Sequence, residues 1–349
     1  MSIEKPVNIL QIGYGYWGPN LARNLSGIPG TRIGALCEVA PKNTDKFTSN
    51  FPDAEVFKDY RKALLIDDIH AVVISTPAAM HYEMTRSALE AGKHVLVEKP
   101  LSLTSAESKI LVDIAAKNNL ILMVGHTFLY NSAVRKVKEY INNGEIGDIY
   151  YLYSHRLNLG KVRSDINSLW NFAPHDVSII LYLLEGRKAI GVTAKGFSYI
   201  QKGIEDVVFF TIEFENSVCA HVHVSWIDPN KVRKMTIVGS KKMIVYDDVS
   251  NNAKITLYDK GVDKQYVNRE LKGFDTYGEF QLMLRAGDVL VPQFDFVEPL
   301  KVECNHFIEC IRHNKRPITD GVHGFEVVRI LETAQKSIKN NGQVVEIDR

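Results

Sequence analysis

The chain has 349 residues, of which 45% are hydrophobic and 24% charged, the usual balance for a globular protein of about two domains. Forty-two Lys and Arg against 41 Asp and Glu leave a net charge of +1, so nothing favours nucleic acid or an anionic membrane as the main partner. There is no apolar run of the roughly 20 residues that span a bilayer, no signal-peptide pattern and no CxxC pair among four scattered cysteines. We therefore expect a cytoplasmic protein without a metal site.

The first third of the chain alternates short apolar runs with amphipathic stretches. The apolar runs predict strands at Val7–Ile12, Arg32–Cys37, Ala71–Ser75, His94–Val97 and Ile121–Val124. Helices are predicted from Asn20 and at Tyr60–Leu65, Tyr82–Ala91 and Ala106–Lys117. Strands alternating with helices at this spacing favour a parallel sheet with right-handed crossovers. The sequence therefore predicts a doubly wound α/β domain over residues 1–124.

Beyond residue 124 one helix, Ser132–Asn142, precedes a series of longer strands. The strands are predicted at Ile149–Arg156, Ile190–Tyr199, Val207–Glu215, Val218–Trp226, Lys234–Val238 and Met243–Tyr246. Period-two alternation without intervening helices predicts a mostly antiparallel sheet with one buried face, covered by late helices at Val302–His313 and Gly324–Lys339. Residues 125–349 are thus expected to form an α+β domain, with the reaction in a cleft between the two domains.

A glycine-rich motif, Gly-Tyr-Gly-Tyr-Trp-Gly at residues 13–18, lies between the first strand and the first helix. Gly13 permits a tight turn, Gly15 lets backbone amides approach a pyrophosphate, and Gly18 allows close packing of helix on strand. Glu38, at the end of the second strand, would accept both adenosine ribose hydroxyls and repel a 2′-phosphate. The sequence therefore predicts a Rossmann domain that binds NAD in preference to NADP.

Two further motifs each end a strand of the predicted parallel sheet. They are Ser75-Thr76-Pro77 and Glu98-Lys99-Pro100. The carboxyl ends of such strands form the ligand crevice, so both motifs point to the place where a nicotinamide would lie. A lysine at this place could be a surface loop charge, but the proline beside Lys99 indicates a fixed backbone.

These motifs belong to a wider pattern that resembles a known family. The matching stretches are GYGYWG at 13–18, STPAAMHYE at 75–83, AGKHVLVEKPLS at 91–102 and GHTFLYN at 125–131. They resemble the glucose–fructose oxidoreductase/inositol dehydrogenase (Gfo/Idh/MocA) family, and the resemblance covers nearly the whole chain. The resemblance implies a Rossmann domain followed by a domain with a large open sheet, pyridine-nucleotide redox chemistry on a sugar or polyol, and a homodimer or homotetramer.

The resemblance also implies that Lys99 is catalytic and that a second catalytic element lies at a helix start. In that element His175 occupies the histidine position, while Asn171 stands where many relatives carry Asp. Asparagine cannot act as a base, so Asn171 either binds a substrate hydroxyl or caps the helix, whose first turn would hold Pro174. His175, with an ordinary pKa near 6.5, is expected to be the general base, and Lys99 the donor to the same substrate oxygen.

The motifs and the resemblance together define two sets of expected contacts. The cofactor contacts are Gly13, Gly15, Tyr16, Trp17, Gly18, Glu38, Thr76, Pro77, His81, Glu98 and Lys99. The substrate contacts are Lys99, Tyr130, Arg156, Asn158, Arg163, Asn171 and His175.

The substrate is narrowed by a cationic segment, Tyr151–Trp170, which includes Arg156, Lys161 and Arg163. In the family fold this segment borders the substrate, and its cations suit phosphates or carboxylates unless they are solvated loop charges. With Asn171-Phe-Ala-Pro-His-Asp, it most resembles the branch of UDP-N-acetyl-2-amino-2-deoxyglucuronate 3-dehydrogenases. We expect hydride transfer between nicotinamide and a secondary alcohol or ketone of a nucleotide-linked sugar.

Other functions stay open on the sequence alone. They are a dehydrogenase of a free sugar or an inositol-type polyol, a ketosugar reductase, and a non-catalytic NAD sensor. His221 and His223 share one face of a predicted strand but have no third ligand, so no metal is expected there. Their face is expected to meet solvent or another subunit, because the opposite face of Val218–Trp226 is apolar.

Overall fold

The structure, a computed structural model, describes residues 6–160, 162–262 and 284–347. Lys161 of the cationic segment therefore lies outside the described residues. The chain divides into two compact units, Met1–Asn131 with Val297–Glu332, and Ser132–Phe296 with Thr333–Arg349. The late segment Val297–Glu332 thus belongs to the first unit, whereas a division at residue 124 assigns it to the second.

The first unit contains a six-stranded sheet in which every neighbouring pair is parallel. Its strands are β1 (Val7–Ile12), β2 (Thr31–Cys37), β3 (Glu55–Phe57), β4 (Ala71–Ile74), β5 (His94–Glu98) and β6 (Leu122–Gly125). Their order is β3-β2-β1-β4-β5-β6, so the chain runs outward from β1 in both directions. All residues of β1 and β4 are buried, as expected for strands covered on both faces. This confirms the predicted doubly wound sheet.

Helices connect these strands. They are α1 (Gly18–Ser26), α2 (Pro41–Asn50), α3 (Tyr60–Ala63), α4 (His81–Glu90) and α5 (Ser105–Lys117). Thr104 caps α5 by accepting the amide of Glu107 at 3.2 Å, and a proline lies in the first turn of α1 and of α2. A 3₁₀ turn, Thr127–Tyr130, follows β6.

The second unit contains a nine-stranded sheet and two helices, α6 (Ser132–Asn142) and α7 (Ser168–Leu183). Its strands are β7 (Ile149–Leu159), β8 (Ala189–Phe197), β9 (Val207–Phe214), β10 (Val218–Ser225), β11 (Ile227–Gly239), β12 (Met243–Asp247), β13 (Ile255–Val262), β14 (Leu284–Leu290) and β15 (Val345–Glu346). The order is β14-β13-β12-β11-β7-β10-β9-β8-β15, antiparallel except for the pair β7 and β10. The sheet is therefore open and mostly antiparallel, as expected.

One face of this sheet is buried and carries α7, which packs on β7, β9 and β10. The alternate residues Val218, Ala220, Val222 and Val224 of β10 are buried, which confirms their assignment to the core face. Two more helices complete the chain, α8 (Pro299–His313) in the first unit and α9 (Gly321–Lys339), which starts in the first unit and ends in the second. No helix among the described residues has the length and hydropathy to cross a membrane.

Candidate active site

The glycine-rich turn has the geometry that a bound pyrophosphate needs. Gly13 has φ +85°, and a Cβ there would lie 2.9 Å from the carbonyl oxygen of Ser75. A Cβ on Gly18 would lie 2.5 Å from the carbonyl oxygen of Gly13, so any side chain would push α1 away from the turn. Nothing lies within 4 Å of a Cβ on Gly15. The turn thus leaves open space at Gly15, beside the N-terminus of α1, where phosphate oxygens are stabilised.

Glu38 lies beside this turn and holds it in place. Its Oε2 accepts the backbone amide of Tyr14 at 2.8 Å and the Asn43 side-chain amide at 3.1 Å. Its Oε1 accepts the amides of Val39 and Ala40 at 2.8 and 2.9 Å. Burial raises the pKa of Glu38, but these hydrogen bonds outweigh it and the net pKa is lowered. Glu38 is therefore a carboxylate at neutral pH. It fixes the glycine-rich turn and the loop that follows β2, beside the expected cofactor site.

We expect Glu38→Gln to destabilise the fold by about 1–3 kcal/mol, because an amide nitrogen would replace one of the oxygens that accept these donors. NAD affinity should fall as well, since the turn loses its anchor. Because the folded pKa is lowered, the stabilisation by Glu38 is present above the ordinary glutamate value of about 4.3 and is lost as pH falls through the lower folded value. Urea unfolding from pH 7 to 3 tests this: the variant should lose less stability over the acid range than the wild type, and parallel curves would contradict it.

A cavity of about 450 Å³ opens beside the turn and the ends of β1, β2 and β4. Its lining includes five of the expected cofactor contacts, Gly13, Gly15, Glu38, Thr76 and Pro77. It also includes residues that the sequence analysis missed, Lys58, Asp59, Tyr60 and Arg61, which follow β3. β3 is short and polar, so no apolar run predicted it. The loop that follows β3 was therefore not recognised as part of the sheet edge beside the glycine-rich turn.

The next part of the edge joins the turn to the strand that carries Lys99. Tyr16 is 92% exposed and stacks on Trp17, with ring centroids 6.1 Å apart. The indole of Trp17 donates a hydrogen bond to the carboxylate of Glu98. The Oε2 of Glu98 also accepts the backbone amide of Lys99 at 3.3 Å. Glu98 therefore connects the glycine-rich turn with the backbone of Lys99.

Lys99 lies directly after β5, with a cis peptide bond to Pro100. Its ammonium group lies close enough to two buried histidines to affect them. Burial is the main cause that lowers the pKa of His81, and Lys99 adds to the lowering. The pKa of His126 is lowered by burial, then by His323 and Lys99. The cation at Lys99 thus stands among neutral imidazoles and the Glu98 carboxylate.

His81 is expected to contact the cofactor, which stays a prediction, and the structure buries its ring inside the first unit. The ring is 1% exposed, with Nδ1 2.7 Å from the carbonyl oxygen of Pro100 and Nε2 2.9 Å from that of Thr76. Both partners are carbonyl oxygens, which only accept, so the single N–H of the neutral ring donates to one of them while the ring lies between the two. His81 joins the loops that follow β4 and β5, and its influence on the cofactor passes through their backbone.

Tyr130 was expected to contact substrate, but its side chain lies in the interior of the first unit. It is 1% exposed, and its hydroxyl lies 3.1 Å from the hydroxyl of Thr319. Its ring also lies 5.5 Å from that of His306. Tyr130 thus connects the 3₁₀ turn after β6 to residues beyond α8, and its contact with substrate stays a prediction.

His175 belongs to the second unit, but not to a helix start. α7 begins at Ser168, and Asn167 caps it by accepting the amide of Trp170 at 3.1 Å. Asn171 is therefore inside the helix and does not cap it, and Pro174 lies in the helix interior instead of its first turn. His175 is partly exposed on α7. The sequence pattern was misleading because the proline was read as a start signal.

The cationic segment is more fully paired than expected. Arg156 is buried, and its Nε donates to Oδ2 of Asp176 at 2.5 Å. Arg163 makes two bonds to Asp165, at 2.9 and 2.6 Å. Arg156 is thus buried in an ion pair of the second unit, and its contact with substrate stays a prediction. Asn158 is partly exposed near the end of β7.

The paired histidines of β10 contact their own sheet. His221 Nδ1 lies 2.9 Å from the hydroxyl of Thr211, and the ring of His223 stacks on Phe209 at 4.2 Å. Within the described residues, no group of three or more His, Cys, Asp or Glu side chains could hold a metal ion.

Comparison with known proteins gives these features a family. Residues 7–126 match the Gfo/Idh/MocA oxidoreductase family, NAD-binding Rossmann fold, and residues 134–245 match the Gfo/Idh/MocA C-terminal domain. The scyllo-inositol 2-dehydrogenase (NAD(+)) of Bacillus subtilis is 25% identical over 359 residues, which cover 99% of this chain and 98% of the relative.

Two solved structures share the fold at lower identity. UDP-N-acetylglucosamine 3-dehydrogenase GnnA from Acidithiobacillus ferrooxidans has a TM-score of 0.77 at 22% identity, over 96% of this chain and 99% of that one. Levoglucosan dehydrogenase, in complex with NADH and levoglucosan, has a TM-score of 0.82 at 21% identity, over 99% and 100%. These likenesses concern the fold alone, whereas the two family matches cover more than half of the sequence. The chain belongs to the Gfo/Idh/MocA family of NAD-binding oxidoreductases.

Proposed function

We propose that this protein oxidises a secondary alcohol of a sugar or polyol with NAD, and that Lys99 and His175 are its catalytic residues. The observation that carries the proposal is the position of Lys99. It follows β5 at the same sheet edge as the glycine-rich turn and is joined to that turn through Glu98 and Trp17. A cation at this edge lies beside the cofactor-binding turn, where an alkoxide would develop during oxidation.

NAD, when bound, supplies the acceptor for the two electrons that leave the substrate carbon. The chain's own residues would do the rest. Lys99 would donate a hydrogen bond to the substrate oxygen and stabilise the charge that develops there. His175 would take the hydroxyl proton, directly or through water, and return it when the reaction runs as a ketosugar reduction.

An uncharged sugar or polyol is the substrate class that we favour. A nucleotide-linked sugar needs cations for its phosphates, and the two described arginines of the cationic segment are already paired with Asp176 and Asp165. The names of two relatives, scyllo-inositol 2-dehydrogenase and levoglucosan dehydrogenase, also point to uncharged substrates.

A nucleotide-linked sugar is the second candidate. The side chain of Arg163 is 40% exposed, so it could exchange Asp165 for a phosphate, and one relative acts on UDP-N-acetylglucosamine. The narrower resemblance to UDP-uronic acid 3-dehydrogenases is not supported by the relatives described above. A homodimer or homotetramer stays a prediction; in its favour, Tyr151 and Phe209 are 42% and 37% exposed on the sheet of the second unit.

The test is NADH absorbance with NAD and two substrate panels, free inositols and sugars against UDP- and dTDP-sugars. Each reaction is repeated with a 2-oxo acid as hydride acceptor, so that a tightly held NADH can turn over. Turnover confined to the free panel supports the favoured class, and turnover confined to nucleotide sugars overturns it in favour of the second candidate. If both panels are silent while NAD binds, the proposed oxidation is wrong.

A further inference from the structure

A fully buried carboxyl group lies in the first unit at a position where α8 should be apolar. Glu303 is 0% exposed, between the buried residues Leu300 and Phe307 of the same helix face. Its Oε2 accepts the hydroxyl of Thr127 at 2.7 Å. Its Oε1 is buried and has no hydrogen-bond partner among the residues that the structure describes. Burial of an ionised carboxylate in such a place is costly, so the group requires a physical explanation.

The carboxylate of Glu98 lies close enough to Glu303 for its charge to raise the pKa of that group. Glu98 is partly exposed as a residue, but its Oε1 is buried and, like that of Glu303, makes no hydrogen bond within the described part of the chain. Room for this carboxylate depends on Gly125 of β6, where a Cβ would lie 3.2 Å from the Glu98 carboxyl carbon. Two carboxyl groups thus interact in the first unit, and each has one buried oxygen that makes no hydrogen bond to the described residues.

Two carboxylates in one low-dielectric region cannot both be ionised at low cost. Burial raises the pKa of Glu98 to about 7, although Lys99 and the indole of Trp17 oppose the rise. Burial and then the charge of Glu98 raise the pKa of Glu303 well above its usual range. The directions agree with the geometry, since a proton on Glu303 would turn one unused acceptor into a donor.

The other ionisable groups nearby leave this picture unchanged. Lys99 is the cation beside Glu98. Burial, followed by Glu303, Glu98 and Glu298, raises the pKa of the Cys304 thiol well above its usual value, so the thiol stays protonated. The 3₁₀ turn contributes only the hydroxyl of Thr127, and the preceding His126 is held neutral by burial. Arg23 of α1 is bonded to Glu298 at the surface.

We propose that Glu303 and Glu98 form an acid pair in which Glu303 keeps its proton at neutral and mildly alkaline pH, and that Glu303 is a positioning residue for Lys99. Once Glu98 is ionised, the protonated Glu303 leaves the pair with a single negative charge, on Glu98. That charge accepts from Trp17 and from the backbone of Lys99, so it fixes the catalytic cation relative to the glycine-rich turn. The consequence for Lys99 rests on the proposed function, whereas the shared proton does not.

The shared proton is tested without turnover, by infrared spectroscopy of the whole protein at about pH 8.5, above the Glu98 value of about 7. The wild type should show the carbonyl band of a protonated carboxyl group, and E303Q should lack it. The control, E309Q, removes an exposed glutamate from the same helix and should keep the band. A wild type without the band, or a band that survives in E303Q, overturns the acid pair.

The positioning role is tested by comparing E303L with E303Q. Leucine leaves Thr127 without its acceptor and Glu98 without the second carboxyl group of the pair, and we expect kcat to fall by about 10- to 100-fold, as for a misplaced catalytic group. An amide resembles a protonated carboxyl group, so E303Q should restore most of that rate, with KM for NAD little changed in both. Equal loss in the two variants, or no loss in E303L, overturns the role. Thermal unfolding of both variants shows whether a lower kcat results from loss of the folded state. If the wild type has no dehydrogenase activity, the infrared result still decides whether the acid pair exists.

Discussion

Lys99→Ala is expected to lower kcat by about 10²- to 10⁴-fold, the contribution of a positioned proton donor, while NAD still binds. The expectation follows from the geometry of the edge. The turn that would hold the pyrophosphate depends on Gly13, Gly18 and Glu38, none of which needs the lysine side chain. The cation itself lies beyond β5, where the substrate oxygen is proposed to be. Single-turnover rates and quenching of tryptophan fluorescence by NADH separate the two effects.

The matched control is Lys93→Ala. Lys93 lies just before β5, at the opposite end of the same strand, and its Nζ donates to the carbonyl oxygen of Ile66 at 3.2 Å. This variant should keep the wild-type kcat. If Lys99→Ala turns over at the rate of Lys93→Ala, the lysine has no part in the chemistry. If Lys99→Ala loses NAD binding instead, it supports the cofactor and not the reacting oxygen.

Much of the first unit could be predicted because its signals are local. Each buried parallel strand is a short apolar run. The spacing of the glycines predicts the turn, because its backbone has requirements that only glycine meets. The strand bounds Val7–Ile12 agree with the structure, and His94–Val97 differs by one residue. The polar helix α2 and the strand β3 lack apolar periodicity, so the cationic loop around Lys58 was missed with them.

The environment of the site depends on contacts that are distant in sequence, and these were not predictable in the same way. The sequence predicts Arg156 to be a cation available to substrate, because nothing local shows that Asp176, twenty residues later, lies beside it. The sequence predicts His81 to contact the cofactor, but it does not show that its two ring nitrogens lie beside the carbonyl oxygens of Pro100 and Thr76. Glu303 did leave a signal: it occupies a position of the apolar stripe in α8, where a carboxyl group is out of place.

The ion pair between Arg156 and Asp176 shows how burial decides what a charge contributes. Both side chains are nearly inaccessible, at 7% and 4%, and Ser154 donates a further hydrogen bond to Asp176 at 2.6 Å. Arg163 and Asp165 form a pair of similar geometry, but their side chains are 40% and 52% exposed. The two pairs belong to the same unit, so they form a natural comparison.

Asp176→Asn is expected to lower the free energy of unfolding by about 3–5 kcal/mol, because the buried guanidinium of Arg156 loses its carboxylate. The exposed counterpart, Asp165→Asn, should cost at most about 1 kcal/mol, since solvent screens that pair. Urea unfolding measures both, and equal losses would contradict the argument. The double variant Arg156→Met with Asp176→Leu removes both charges together and should recover most of the stability, which a role in packing alone would not produce. Asp176 follows His175 on α7, so the double variant also tests whether the proposed base, His175, needs the ion pair. If the double variant recovers both its stability and its turnover, His175 does not need the ion pair.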